Sequence, residues 1–161
     1  MQARDLDTSE QLCTFFVDDI LFGVDVRHVQ EVLRPQERTR VPLAPDVVAG
    51  LINLRGHIVT ALDMRLRLGL EPADADRELM NVVVRVADST LSLLVDEIGD
   101  VVEVSDYSFE TTPATLDPKL KSVVAGVYMR KGELLLLLDP ALAIQITDSS
   151  HTNGGTHGAL S

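Results

Sequence analysis

At 161 residues the chain carries 25 acidic against 14 basic side chains, a formal net charge of −11. It therefore lacks the basic footprint of a protein that tracks nucleic-acid phosphates or lies on an anionic membrane. Apolar residues make up 45% of it but aromatics only 4%, with no tryptophan, so the core must be built from Val, Leu and Ile, which favours strands.

The one cysteine, Cys13, excludes an internal disulfide and fits a reducing compartment. The first ten residues are polar and acidic, without the apolar segment of a secretion signal. No apolar run approaches the roughly 18 residues that a membrane span needs. The expectation is a soluble cytoplasmic protein with no membrane insertion.

Gln11–Val17 reads as a first strand, Asp18-Asp19 as a turn and Ile20–Asp25 as its hairpin partner. Residues 26–29 predict one helical turn and 30–34 a third strand, followed by a polar connection. The stretch 47–64 then reads Val-Val-Ala-Gly-Leu-Ile-Asn-Leu-Arg-Gly-His-Ile-Val-Thr-Ala-Leu-Asp-Met, and 64–68 predicts a short helix stopped by Gly69. Residues 71–78 are acidic, contain Pro72 and have no apolar period, which marks a hinge. Beyond it Met80, Val82, Val84 and Val86 alternate as in a half-buried strand, 87–89 turn the chain, and Leu91, Leu93 and Val95 resume the alternation. Residues 105–121 form a long connection. The five leucines at 134–138 require a strand covered on both faces or part of a closed barrel. Residues 140–146 predict a terminal helical turn, and the Ser, Thr, Gly and His tail from 147 to 161 is expected to be disordered.

The 47–64 stretch returns at 123–140. Gly50 and Gly126, Gly56 and Gly132, and Asp63 and Asp139 are each 76 apart (126 − 50, 132 − 56, 139 − 63); Val-Val-Ala-Gly is identical in both copies, and Lys131 answers Arg55. An apolar approach ending at a glycine suggests positive φ or a close backbone approach. Arg55-Gly56 and Lys131-Gly132 suit tight hairpins. Asp63 and Asp139 are expected helix caps, the latter with Pro140 at the first helical position. The segment 24–32 echoes 95–104 with one inserted residue, so the likeness covers most of each half. About five short strands per half are too few for a large sandwich, and closure into barrels removes exposed edges. The predicted architecture is all-β: two tandem five-stranded SH3-like barrels in one domain over 11–146, the first at about 11–70 and the second at about 79–146. A pseudo-two-fold repeat relates them, and a strand swapped between the halves stays open.

No catalytic constellation assembles. His28 and His57 lack metal-ligand spacing, and His151 and His157 fall in the tail. Gly50 and Gly56 lack the Lys-Ser/Thr ending of a phosphate loop, and Ser89 and Ser92 have no glycine elbow. The expectation is a non-enzyme without metal or cofactor. What remains is a surface: charged tips at Arg55 and Lys131, and polar Gln30 and Glu31 on an exposed strand face.

Val24-Asp25, Val29-Gln30-Glu31-Val32, Gly50-Leu51-Ile52-Asn53-Leu54-Arg55-Gly56-His57-Ile58 and Asp63-Met64-Arg65 strongly resemble the CheW family of bacterial chemotaxis coupling proteins. The likeness runs from about residue 12 to 146. The resemblance implies two small five-stranded barrels and an adaptor that bridges the cytoplasmic hairpin tip of chemoreceptors to the regulatory domain of the histidine kinase CheA. It further implies a receptor-binding set of Val29, Glu31, Arg55, Val82 and Ser92, in which Arg55 pairs with a receptor carboxylate and the valines floor an apolar groove near the junction of the barrels. Thr60 stands where the family commonly has proline and Met64 where it has leucine, and 106–118 shows little likeness. The signature is shared with the kinase's own regulatory domain and with CheV, but this chain has no room for a kinase core or a receiver domain. The alternatives are a coupler of a pilus-motility or other chemosensory-type array, or a small barrel that binds a ligand or single-stranded nucleic acid by itself.

Overall fold

The computed structural model describes residues 10–145. The predicted first hairpin is β1 (Gln11–Val17) and β2 (Ile20–Asp25), paired antiparallel with Phe15 opposite Phe22 and turned at Asp18, φ 61°. A single 3-10 turn, Val26–His28, leads to β3 (Val29–Leu33), and after a long connection β4 (Val48–Leu54) and β5 (His57–Asp63) form the second hairpin. Helix α1 (Met64–Arg67) follows. Then come β6 (Met80–Val86), β7 (Ser89–Val95), β8 (Glu97–Glu103), β9 (Ser108–Glu110), α2 (Pro118–Lys121), β10 (Val124–Arg130), β11 (Glu133–Leu138) and α3 (Pro140–Ala143).

The strands make two sheets, of order β8-β1-β2-β11-β10-β9 and β3-β6-β7-β5-β4. Superimposing the second copy of the repeat on the first matches β6–β8 with β1–β3 and β10–β11 with β4–β5. Under that matching the two sheet orders become the same, with three-residue β9 as an extra edge strand. The parallel pairings correspond (β11 with β2, β5 with β7), and so do the register shifts at Val124/Gly126 and Val48/Gly50. Even β9 has a vestige in the first copy. Glu110 pairs with Val127, and 76 residues earlier Leu51 makes an isolated bridge with Thr39.

The exchange redraws the expected division. Each sheet takes a hairpin from one copy and three strands from the other, four where β9 is added, so the barrels do not separate at 70/79. The connection 71–78 links strands of one sheet rather than acting as a hinge between two. Among the described residues the chain changes sheet at two places, the 3-10 turn after Asp25 and the single residue Asp96 between β7 and β8. These two aspartates occupy matching places in the 24–32 and 95–104 echo. The 105–121 connection holds β9 and α2, which went unread because Ser-Phe-Glu is too short to show a period and all three residues are exposed.

Alternation sorts side chains into three cores. Val82, Val84, Leu93, Val95, Leu136 and Leu138 join the largest cluster with residues of both sheets, so it lies between them. Ile52, Leu54, Val59, Ala61, Val83 and Leu94, all from the second sheet, form a separate cluster. A sheet whose other face encloses a core of its own has curled round on itself. Leu12, Val104, Tyr128 and Leu135 do the same within the first sheet. The leucine run divides as closure demands: Leu135 inward, Leu136 and Leu138 to the shared core, Leu134 exposed. The predicted tail at 147–161 lies outside the described residues.

The copies meet at Arg67, itself buried, whose Nε donates to the carbonyl of Ala143 at 3.2 Å, its own equivalent 76 residues on. Its other nitrogens donate to Leu142 O (3.3 Å) and Ser122 Oγ (3.1 Å). Burial pushes its pKa below the usual guanidinium value. Arg67→Met keeps the stem but strands these carbonyls at the end of α3. Chemical denaturation should show a loss of about 2 kcal/mol.

Candidate docking surface

The repeated stretch builds the same frame twice. The main-chain N–H of Asp63 donates to Val47 O at 2.8 Å and that of Asp139 to Val123 O at 2.9 Å. The Asp63 carboxylate accepts from Leu66 N at the start of α1, and that of Asp139 from Ala141 N at the start of α3. Satisfying first-turn amides is what a short helix most needs. At each copy's glycine a passing backbone comes close. A Cβ on Gly50 (φ 150°) would sit 2.6 Å from Thr39 O, and one on Gly126 would overlap the Phe109 ring and approach Glu110 O to 3.1 Å.

Both hairpin tips are two-residue loops with positive φ at each residue: 53° and 89° at Arg55-Gly56, 46° and 82° at Lys131-Gly132. This conformation matches the twist of the flanking strands. In the first copy Asn53 Oδ1 also accepts from Gly56 N at 2.9 Å, which explains the asparagine of the Asn-Leu-Arg-Gly sequence. The second copy has Met129 there. Its Lys131 takes part in no ion pair among the described residues, while the adjacent Arg130 lies over the Tyr107 ring at 4.5 Å.

Arg55 does not project freely. Its two terminal nitrogens donate to the two oxygens of Glu31, each at 2.6 Å, a fork-to-fork pair. Glu31 lies on β3 and Arg55 at the tip of β4–β5, so the pair ties the opposite edges of the second sheet together. The Arg55 hydrogen bonds hold the Glu31 carboxyl below its ordinary range, and Glu31 in turn raises Arg55. Val29, two residues before Glu31 on β3, is half-buried and packs on the shared core.

Of the five residues assigned by resemblance, the structure brings Glu31 and Arg55 together at this rim, and Val29 lies on the same strand but packs on the opposite face, against the shared core. It does not bring Val82 or Ser92 to the surface: both are fully buried. Val82 lies opposite Val32 in the β3–β6 ladder and faces the shared core, and Ser92 Oγ donates to Asn81 Oδ1 at 2.8 Å. The sequence showed that Val82 and Val84 share a face but not that both faces of β6 are covered. Sequence reasoning missed the apolar groups that are exposed on the same elements, Ile58 on β5 (63% exposed) and Val32 on β3 (37%). His28 and His57 are exposed. No group of three or more metal-ligating side chains gathers among the described residues, and no helix there is long and apolar enough to cross a membrane.

Two interleaved β-units with a charged, ion-paired hairpin at the rim define a small double-barrel scaffold. The CheW-like domain family matches residues 11–147. The chain belongs to the CheW family of chemotaxis coupling proteins. The chemotaxis protein CheW of Rhizobium meliloti is 32% identical over 129 residues, 80% of this chain and 83% of the relative. That of Bacillus subtilis is 26% identical over 148 residues, 92% and 94% of the two chains. Protein PilI of Pseudomonas aeruginosa is 27% identical over 122 residues, 76% of this chain and 68% of the relative. The crystal structure of the scaffolding protein TtCheW from Thermoanaerobacter tengcongensis superposes with a TM-score of 0.73 at 24% identity, over 82% of this chain and 90% of that one, and shows the shared fold.

Proposed function

We propose that this chain is a non-catalytic adaptor that couples methyl-accepting chemoreceptors to the regulatory domain of the histidine kinase CheA, working in the cytoplasm at membrane-associated receptor arrays. The observation that carries the reading is the rim at Arg55: a forked cation at a fixed hairpin tip, paired with Glu31, on elements that also carry half-buried Val29 and exposed Val32 and Ile58. A charge beside apolar groups suits a helical hairpin that offers a carboxylate and an apolar stripe. Val29, Glu31 and Arg55 contact the receptor, while Val82 and Ser92 act from beneath by fixing β3 and β6. A coupler of a pilus-motility array is the second reading, and the likeness to PilI is the observation on its side.

Titration with a soluble receptor cytoplasmic fragment tests the first reading. Arg55→Glu should weaken binding by about tenfold or more, while melting stays close to wild type because the replaced pair is solvent-exposed. A folded Arg55→Glu protein with normal receptor affinity removes Arg55 from the site. Recovery of pilus-array receptors in place of methyl-accepting chemoreceptors, in capture from native lysate, would favour the second reading.

A further inference from the structure

The most anomalous residue among those described is Leu43. It stands at φ 65°, in the left-handed region that bulky side chains avoid, and its side chain is wholly exposed. Four other non-glycine residues among those described have positive φ: Asp18, Arg55, Ala87 and Lys131. Each of them caps a β-hairpin and is polar or small. Leu43 instead follows Pro42 in a turn closed by Ala44 N donating to Val41 O at 3.3 Å. Proline then a residue of positive φ is the type II arrangement, whose third position favours glycine or asparagine. Leucine there pays twice, in backbone strain and in apolar surface left in water, and nothing among the described residues covers it. Strain of this kind persists where the surroundings hold it in place.

The surroundings do hold it. Thr39 is clamped to Leu51 by two main-chain hydrogen bonds, 2.9 and 2.8 Å, and Val48 N donates to Pro45 O at 2.9 Å on the other side. The turn is therefore rigid, so little ordering cost attends its docking. Its flank is basic within an acidic protein. Arg34, Arg38 and Arg40 are all exposed and outnumber the carboxylates next to the turn, Glu37 and Asp46, and none of the three joins an ion pair among the described residues. The turn also precedes β4, whereas Arg55 closes the far end of that strand.

We propose that the Val41–Ala44 turn is a preformed docking knob. Leu43 enters an apolar pocket on a partner protein, and Arg38 and Arg40 meet carboxylates on the rim of that pocket. This rests on the adaptor reading to the extent that an adaptor needs a second surface, at the other end of β4 from the receptor's, and the partner is then the kinase regulatory domain. A buried anchor ringed by charge gives tight, salt-sensitive association.

The probe is the purified CheA-type regulatory domain, titrated against wild type, Leu43→Asn and the Arg38→Glu/Arg40→Glu pair. Asparagine tolerates the left-handed conformation, so Leu43→Asn should melt at or above the wild-type temperature while its affinity falls about tenfold or more. The double charge reversal should slow association and flatten its dependence on salt. Wild-type binding that Leu43→Asn leaves unchanged overturns the proposal alone. No binding of wild type overturns it together with the kinase half of the adaptor reading. A self-association of this chain that Leu43→Asn abolishes, with kinase binding intact, overturns it in favour of a second copy as occupant.

Discussion

Replacing Gly50 by alanine should destabilise the protein by about 3 kcal/mol, the largest effect expected of any single methyl group added to this fold. Two costs act together. The backbone is at φ 150°, which residues with a Cβ rarely adopt, and the added carbon would meet Thr39 O at 2.6 Å. That oxygen cannot withdraw without breaking the Thr39–Leu51 bridge. Gly126→Ala offers the internal control. The nearest obstacle there is the ring of Phe109, which is half-exposed and held on one side by the Tyr128 ring at 4.9 Å, and φ is not positive. Its cost should be clearly smaller, about 1 kcal/mol, because a side chain can shift where a bridged main-chain oxygen cannot. Equal losses for the two variants in urea denaturation would show that the Thr39 bridge does not hold its place.

Asp96→Ala is expected to cost a similar amount, about 3 kcal/mol, because it strands charges rather than crowding atoms. The Asp96 side chain is 4% exposed and accepts from Asp18 N at 2.6 Å and from Arg65 Nη2 at 2.8 Å and Nε at 3.0 Å. Burial alone would raise its pKa. The Arg65 hydrogen bonds and the Asp18 amide outweigh that, so the carboxyl titrates below its ordinary value. A carboxyl whose folded pKa is depressed stabilises the protein at every pH above its unfolded value, and that contribution disappears as pH falls through the folded value. The gap between wild type and Asp96→Ala should therefore be full at neutral pH and shrink below about pH 4. A gap that stays constant down to acid pH would mean that Asp96 acts by packing and not by charge.

What could be read from the sequence was local. Gly56 and Gly132 sit in tight turns, Asp63 and Asp139 accept from helix-start amides, and Pro140 begins α3, each set by residues within three or four positions. The 76-residue offset was visible because two copies of a local pattern can be aligned without knowing what either touches. Which strands pair was not visible. β1 and β2 satisfy the same alternation whether they join β3 or β8 and β11, and the choice is made by the shared core. The rim was half legible for the same reason. Arg55 at a tip follows from its turn, but its capture by Glu31, 24 residues back, depends on how far the second sheet curls. The burial of Val82 and Ser92 depends on what covers the opposite face of their strands. Leu43 carried no signal, since a leucine between two prolines looks unremarkable until its φ is known.

The reciprocal exchange of hairpins also fixes an order of events during synthesis. Residues 11–25 are made before the other strands, yet β1 finds its outer neighbour only in 97–103 and β2 only in 133–138. The opening hairpin must therefore wait, half-paired, while more than a hundred residues are translated, and the second sheet is complete as soon as β7 emerges. Pairings so distant along the chain close slowly. The early hairpin is thus the element of the described fold whose edges stay unpaired longest.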